Sequence, residues 1–202
     1  GVDSKGLQDV FMKIGTNDLS GAKNDLAQLR ESNPESTRVL LASIKVAVML
    51  NDQALAQKCL QILKGLDPEN ADIRAIEISL EIEDPIEAII SYLSEVNENP
   101  IERDIETAAA IISYMAMEEV RIQALISTGY AEVGREAQDY LVNAVSKLNT
   151  IIESLSEKAP DDLRVVKFSV LLDCDRGEWD LAEKKIERAR QENPENTELL
   201  FM

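Results

Sequence analysis

The most constraining feature of this sequence is a proline that recurs at a nearly constant interval. Pro34, Pro68 and Pro100 are 34 and 32 residues apart, and Pro160 and Pro194 are again 34 apart. Each of the five follows Asn or Asp, precedes an acid, or does both, a context that ends one helix and starts another. Proline cannot continue the incoming helix, and acidic residues suit the positive end of the outgoing one. The spacing therefore predicts a chain of repeated units.

Apolar residues flank these prolines at helical spacing. Positions five, eight and twelve residues after a proline fall on one face of an α-helix and are held by Val39, Ala42, Val46, Ile73, Ile76, Leu80, Ile105, Ala108, Ile112, Val165, Phe168 and Leu172. A second stripe precedes each proline and carries a recurrent alanine, at Ala22, Ala56, Ala88 and Ala182. A small side chain at a fixed place lets two helices pack closely. The pattern predicts two amphipathic helices per unit, helix A after the proline and helix B before the next.

These features resemble the tetratricopeptide repeat (TPR) family. The resemblance is strongest over 177–183 and 193–196, covers residues 15–100 and 162–194, and is weaker in the first helices, where Ala42-Ser43 and Phe168-Ser169 replace the family's bulky and small residues. It implies an all-α fold, a right-handed α-solenoid of antiparallel helix pairs whose A helices line a concave face. The chain is then one solenoid over 1–202, with units at about 3–34, 35–68, 69–100, 101–160 and 161–194 and a further or capping helix at 195–202.

The unit at 101–160 is longer than the others. It has no proline between its ends, and its apolar spacing predicts one long helix, a break between Gly129 and Gly134, and a second helix from about Arg135 to Lys158. A helix of about 25 residues is roughly 38 Å long, so we expect this hairpin to project beyond a stack of shorter ones. It either pads the solenoid or supplies an extra surface for a partner or for dimerisation.

Charge limits the partners of this protein. The chain has 38 acidic and 21 basic residues, a net charge of −17, and most of the excess lies in residues 69–134. Nucleic acid and anionic lipid are poor partners for such a surface, and no apolar run is long enough for membrane insertion. The acidic middle is either a solvated face or a surface for a partner with basic flanks.

The residue types argue against an enzyme. The chain has no histidine, no glycine-rich phosphate loop and no nucleophile elbow, so we expect no catalytic residues, no metal site and no cofactor. Cys59 and Cys174 are 115 residues apart in helical patterns and are interpreted as core residues. Asp161-Asp162 and Asp173-Cys174-Asp175 are interpreted as helix starts and turns rather than a cation site.

The predicted function is a non-catalytic scaffold or adaptor that binds a peptide or helix of a partner protein in the concave groove. By resemblance, the groove positions fall on successive A helices and include Leu40, Leu41, Ile44, Val48, Arg74, Ala75, Ile78, Ile82 and Tyr114. Some of these side chains would instead pack against the neighbouring A helix, and both interpretations stay open here.

Two alternative functions also stay open. One is a self-associating module that forms a homo-oligomer through the long hairpin or the ends of the array. The other is a regulatory TPR domain of a larger enzyme or of an envelope-assembly protein. The two cysteines and the absence of a signal pattern favour the cytoplasm, and a periplasmic or envelope location stays open.

Overall fold

The computed structural model describes residues 2–196, and within them the chain forms helices and turns with no β-strand. The all-α class predicted from the sequence is confirmed. No helix in this part of the chain combines the length and the apolar character that a bilayer crossing requires. Ten helices cover the described residues: α1 Val2–Gly15, α2 Leu19–Ser32, α3 Thr37–Met49, α4 Gln53–Leu66, α5 Asp72–Glu81, α6 Pro85–Val96, α7 Pro100–Ser127, α8 Ala131–Lys158, α9 Leu163–Asp175 and α10 Trp179–Glu192.

The odd-numbered helices occupy the predicted A segments and the even-numbered helices the predicted B segments. The recurrent alanines of helix B are buried, with exposures of 0% at Ala22 and Ala56, 3% at Ala182 and 7% at Ala88. The stripe five, eight and twelve residues after Pro34 is buried as well, at Val39, Ala42 and Val46. The alternation read from proline spacing therefore describes the real order of helices.

Three turns between an A helix and its B helix share one geometry. Asn17, Asn51 and Gly177 lie in the left-handed region, with φ of 59°, 54° and 73°. In each turn the following residue, Asp18, Asp52 or Glu178, donates its backbone N–H over 2.8 Å to a carbonyl five residues earlier. Asn and Gly are the residues that adopt this conformation most readily at a helix C-terminus. All three lie 17 residues before a proline, so the turn repeats with the sequence.

The described residues group into two compact units. The first contains residues 2–88 and 118–137, and the second contains residues 89–117 and 138–196. The prediction of a single solenoid over 1–202 stays a prediction, and each unit is described by itself. The expected further helix at 195–202 lies largely outside the described residues.

In the first unit, α1 packs on α2 and α3, α3 packs on α2 and α4, and α4 packs on α5. One core cluster joins the first three helices through Leu7, Val10, Ala22, Leu26, Val39, Ala42 and Val46. A second joins α3, α4 and α5 through Leu40, Ile44, Cys59, Leu60, Leu63 and Ile73. Helix α3 contributes side chains to both clusters and therefore connects them within this unit.

In the second unit, α9 packs on α10, and an ion-pair cluster connects α9 to the start of α7. The guanidinium of Arg164 donates two hydrogen bonds to Glu102, at 2.7 and 2.8 Å, and further bonds to Asp162. Asp162 is also the N-cap of α9, because its carboxylate accepts from the Arg164 N–H at 2.9 Å. The expectation that this acid starts a helix is confirmed.

The long pair consists of α7 and α8, each 28 residues and about 42 Å long. The predicted break at Gly129–Gly134 is correct at its start, since Gly129 has a φ of 92°, but wrong at its end, because α8 begins at Ala131. Gly134 therefore lies inside α8. A Cβ there would come within 2.9 Å of Ile126, so glycine is needed for close approach of the two helices rather than for a turn.

Candidate binding groove

A groove of about 460 Å³ lies between α3 and α5 in the first unit. Its floor and walls are mostly apolar, and two charged residues stand on opposite walls, Lys45 on α3 and Asp72 on α5. The lining residues are Leu41, Ile44, Lys45, Val48 and Met49 from α3 and Asp72, Ala75, Ile76 and Ser79 from α5.

Helix α3 supplies one wall because two of its faces are already buried and a third is not. Val39, Ala42 and Val46 face the cluster with α1 and α2, whereas Leu40 and Ile44 face the cluster with α4 and α5. The remaining face is a row seven, eleven and fourteen residues after Pro34, namely Leu41, Lys45 and Val48, of which Leu41 is half-buried and also packs against the second core cluster. Lys45 and Val48 are exposed, and the exposed fraction of Val48 is 44%.

Helix α5 supplies the other wall, where two residues with short side chains project little into the groove. Ala75 and Ser79 are one turn apart on the groove side, and the Ser79 hydroxyl donates to the Ala75 carbonyl at 2.9 Å. Buried Ile73 anchors the helix to the second core cluster. On another face, Glu77 accepts a hydrogen bond from Lys64 of α4, and this contact lowers the pKa of the Glu77 carboxyl. The helix is therefore fixed independently of the groove.

Four of the nine predicted site residues line this groove, namely Leu41, Ile44, Val48 and Ala75. The expectation that Leu40 and Ile78 are exposed is wrong, because their exposed fractions are 1% and 2%. Ile44, although it lines the groove, is itself 4% exposed and belongs to the second core cluster. For α3 the reason is geometric: positions six and ten residues after the proline turn toward α4.

The other three predicted residues are not in the groove lining. Arg74 is exposed and lies 3.4 Å from Glu77, and Ile82 is the half-buried C-cap of α5. Tyr114 belongs to the second unit, where its ring packs edge-to-face on Tyr140 with centroids 6.3 Å apart.

Sequence reasoning missed five lining residues: Lys45, Met49, Asp72, Ile76 and Ser79. The sequence pattern predicts that Ile76 lies in the core stripe and does not distinguish Lys45 and Asp72 from other charged residues. A signal was present in the register, since Lys45 and Ser79 both lie eleven residues after a proline, between positions seven and fourteen on the same face. Positions seven and eleven line the groove on both α3 and α5 and therefore mark its side of these two helices.

A smaller cavity of about 220 Å³ lies among α8, α9 and α10 in the second unit. Lys185 and Ser169 line it, and the Lys185 ammonium donates to the Ser169 hydroxyl at 2.7 Å. The same ammonium lies 2.6 Å from the Asp173 carboxylate, at an angle that does not form a hydrogen bond. The ammonium is thus held between a hydroxyl and a carboxylate that is almost fully buried, an arrangement that joins α9 to α10.

The two cysteines differ in their surroundings. Cys59 is 1% exposed in the second core cluster, and burial raises the pKa of its thiol, which reduces the thiolate needed for nucleophilic chemistry. Its interpretation as a core residue is confirmed. Cys174 is only half-buried, at the end of α9. Both are free thiols.

A scan against protein-family models finds no family that matches this chain, and a search of curated proteins finds no match either.

Proposed function

We propose that this chain is a solenoid of TPR-like repeats that acts as a non-catalytic scaffold, binding a segment of a partner protein in the groove between α3 and α5. The observation that carries the proposal is the third face of α3. Its other two faces are buried in core clusters, and this one presents apolar side chains to an open groove of about 460 Å³.

The repeated local geometry supports the solenoid part of the proposal. The same left-handed turn recurs at Asn17, Asn51 and Gly177, and the same alanine is buried in successive B helices. In the first unit each helix from α1 to α4 packs on the next along the chain, and α1 also packs on α3. Serial contacts of this kind are typical of repeat proteins, whose units bury their apolar faces against neighbours.

The groove has the properties of a protein-binding surface. Val48 and Leu41 offer apolar area, and the exposed charged residues Lys45 and Asp72 lie on the two walls. Binding surfaces generally combine apolar anchor positions with a polar rim that sets specificity. The only cysteine near this region is buried with a raised pKa, so the site supports recognition better than nucleophilic catalysis.

The test uses two glutamates placed in the groove. Peptides selected from a random display library on the wild-type protein are titrated by calorimetry against a Leu41→Glu, Val48→Glu double variant. Because a buried carboxylate opposes apolar contact, we expect affinity to fall at least tenfold, which corresponds to about 1.4 kcal/mol. Ile78→Glu is unsuitable, since Ile78 is buried and its replacement would disturb folding.

Ile62→Glu is the matched control, because Ile62 is 38% exposed on α4 and does not line the groove. We expect it to leave affinity unchanged. Peptides that bind the folded double variant as well as the wild type would place the binding surface elsewhere and refute the groove assignment.

A second candidate function is self-association through α7. Met117 and Val120 are 68% and 72% exposed on this helix, large values for apolar side chains. The exposed face that contains Val120 carries no charge and follows heptad spacing through Ala109, Ser113, Ala116, Val120, Gln123 and Ser127. Two copies joined along such a face would separate in a Met117→Glu, Val120→Glu variant.

Light scattering after size-exclusion chromatography distinguishes this candidate from the first. A dimer that becomes monomeric in the α7 variant and persists in Leu41→Glu, Val48→Glu would support self-association. A wild-type protein that is monomeric at every concentration tested would contradict self-association.

A further inference from the structure

The two walls of the groove carry opposite charges that have no partner among the described residues. Lys45 on the α3 wall and Asp72 on the α5 wall are both exposed, and neither side chain belongs to an ion pair in this part of the chain. Arg38 extends the basic wall, because it lies two turns before Lys45 on α3 and is also exposed and unpaired among the described residues. One wall is therefore basic and the other acidic, across a floor that is apolar.

A ligand that fills this groove must place compensating charges near both Lys45 and Asp72. Covering Lys45 or Asp72 with apolar groups would remove a charge from water without compensation, which is unfavourable. Charge placement at a rim therefore selects partners, since a like charge beside either residue is repelled and an opposite charge is attracted. A complementary segment has carboxylates along the edge that meets α3 and ammonium or guanidinium groups along the edge that meets α5.

The backbone of the ligand is constrained as well. Both walls are α-helices, whose own N–H and C=O groups are already bonded, so the apolar floor offers no partners for an extended peptide backbone. A helical ligand satisfies its own backbone hydrogen bonds. The small Ala75 and Ser79 on the α5 wall also permit the close approach that helix packing requires.

We propose that the groove between α3 and α5 binds an amphipathic α-helix of a partner protein whose apolar stripe has an acidic edge on one side and a basic edge on the other. This inference rests on the proposed function, because it assumes that the groove is the binding surface. The acidic charge of the sequence favours a partner with basic flanks, whereas this inference gives the partner two edges of opposite charge.

The experiment uses three synthetic helical peptides of about 16 residues, or four turns, with the same leucine stripe. The first has one glutamate edge and one lysine edge, the second has two lysine edges, and the third has two glutamate edges. Their affinities for the protein are measured by fluorescence anisotropy at physiological ionic strength. Because a helix can enter the groove in either direction, the mixed peptide needs no mirror-image version.

We expect the mixed peptide to bind the wild-type protein about fivefold more tightly than either of the others, the upper range for an exposed charge pair. Lys45→Glu makes both walls acidic, so the two-lysine peptide should become the one that binds most tightly. Asp72→Lys makes both walls basic and should favour the two-glutamate peptide. Reversal in both directions is the outcome that supports opposite walls.

Matched controls carry the same charge changes away from the groove. Lys58→Glu on α4 and Glu31→Lys on α2 alter exposed residues outside the lining and should leave the rank order unchanged. If the two-lysine peptide binds the wild type most tightly and Lys58→Glu acts like Lys45→Glu, the overall negative field governs binding and the inference is wrong.

The remaining outcomes separate this inference from the proposed function. The three peptides could lose affinity for Leu41→Glu, Val48→Glu and yet keep the same order of affinities for Lys45→Glu. That result would support the groove as the binding surface and would contradict recognition by oppositely charged walls. Failure of all three peptides to bind the wild-type protein would also overturn the helical ligand. The peptides selected from the display library would then test the groove assignment independently of the helical ligand.

Discussion

Helix pairs α1–α2 and α9–α10 occupy equivalent places in the repeat, yet they join their helices by ion pairs of opposite direction. In the first pair Lys13 of the A helix contacts Asp25 of the B helix, with nitrogen and oxygen 2.5 Å apart. In the last pair Asp173 of the A helix contacts Lys185 of the B helix at 2.6 Å. Each residue of the second set lies 160 positions after its counterpart in the first.

The surroundings of the two carboxylates differ more than their distances do. The Asp25 side chain is 31% exposed, whereas the Asp173 side chain is 5% exposed. The corresponding positions of α3 and α4 hold Ala47 and Cys59, both buried and neither charged. Positions that are equivalent in the sequence therefore hold ion pairs of either direction in two helix pairs and buried uncharged residues in a third.

The largest effect is expected where the charge is most buried. Asp173→Ala removes the carboxylate and leaves the Lys185 ammonium with only the Ser169 hydroxyl. We expect the free energy of unfolding to fall by about 2 kcal/mol, less than the roughly 3–5 kcal/mol for breaking a fully buried ion pair, because the Lys185 side chain is 34% exposed. Asp25→Ala, at the equivalent pair, where the carboxylate is 31% exposed, should have a clearly smaller effect. Urea unfolding followed by circular dichroism measures both.

Reversing the pair tests whether position or direction matters. Asp173→Lys with Lys185→Asp recreates in α9–α10 the direction found in α1–α2, and we expect it to recover at least half of the stability lost in Asp173→Ala. A double variant less stable than Asp173→Ala would mean that the buried site requires a carboxylate from α9, and the two pairs would not be interchangeable. Trp179, the one tryptophan of the chain, lies in α10 and reports on this unit.

The next effect concerns the turns of the same two helix pairs. Gly177 and Asn17 adopt nearly the same backbone, with φ of 73° and 59°, and a Cβ at Gly177 would meet open space. Gly177→Ala should therefore destabilise only through its left-handed backbone, by about 1 kcal/mol. Asn17→Gly should have an effect near zero or slightly stabilising. Thermal unfolding compares them, and equal losses in both variants would show that the two turns are not equivalent.

Much of this fold could be predicted because its determinants are local. Proline spacing gave the helix order, and the alanines of helix B gave the close contacts, since each depends on residues within one unit. The predicted end of the break in the long hairpin was wrong because Gly134 packs against Ile126 across the turn, a contact between two helices that the apolar spacing within either helix does not reveal.

The groove was only partly predictable for the same reason. Which face of α3 stays open depends on what covers the other two, and that is decided by α1, α2, α4 and α5 together. Leu40 and Leu41 are neighbours of equal hydrophobicity, but one is buried and the other lines the groove. The charged walls were missed because Lys45 and Asp72 lie on different helices.

The smallest effect concerns the exposed ion pairs and appears only in acid. Hydrogen bonds from Arg164 lower the pKa of both Glu102 and Asp162 below their ordinary values of 4.5 and 3.8. Groups with a lowered folded-state pKa contribute stability that is complete above the ordinary pKa and is lost as the pH falls through the lowered one. The second unit should therefore weaken below about pH 4.5.

Arg164→Gln returns both carboxyls toward their ordinary pKa, so stability should depend less steeply on pH in this acidic range than it does in the wild type. The urea midpoint of Trp179 fluorescence, measured from neutral to acidic pH, gives the two slopes. Lys184→Gln removes an exposed charge from α10 that forms no ion pair among the described residues, and it controls for net charge. Parallel slopes in the wild type and Arg164→Gln would show that the α7–α9 contact is held by packing, and that the electrostatic contrast between the helix pairs resides in the buried Asp173 alone.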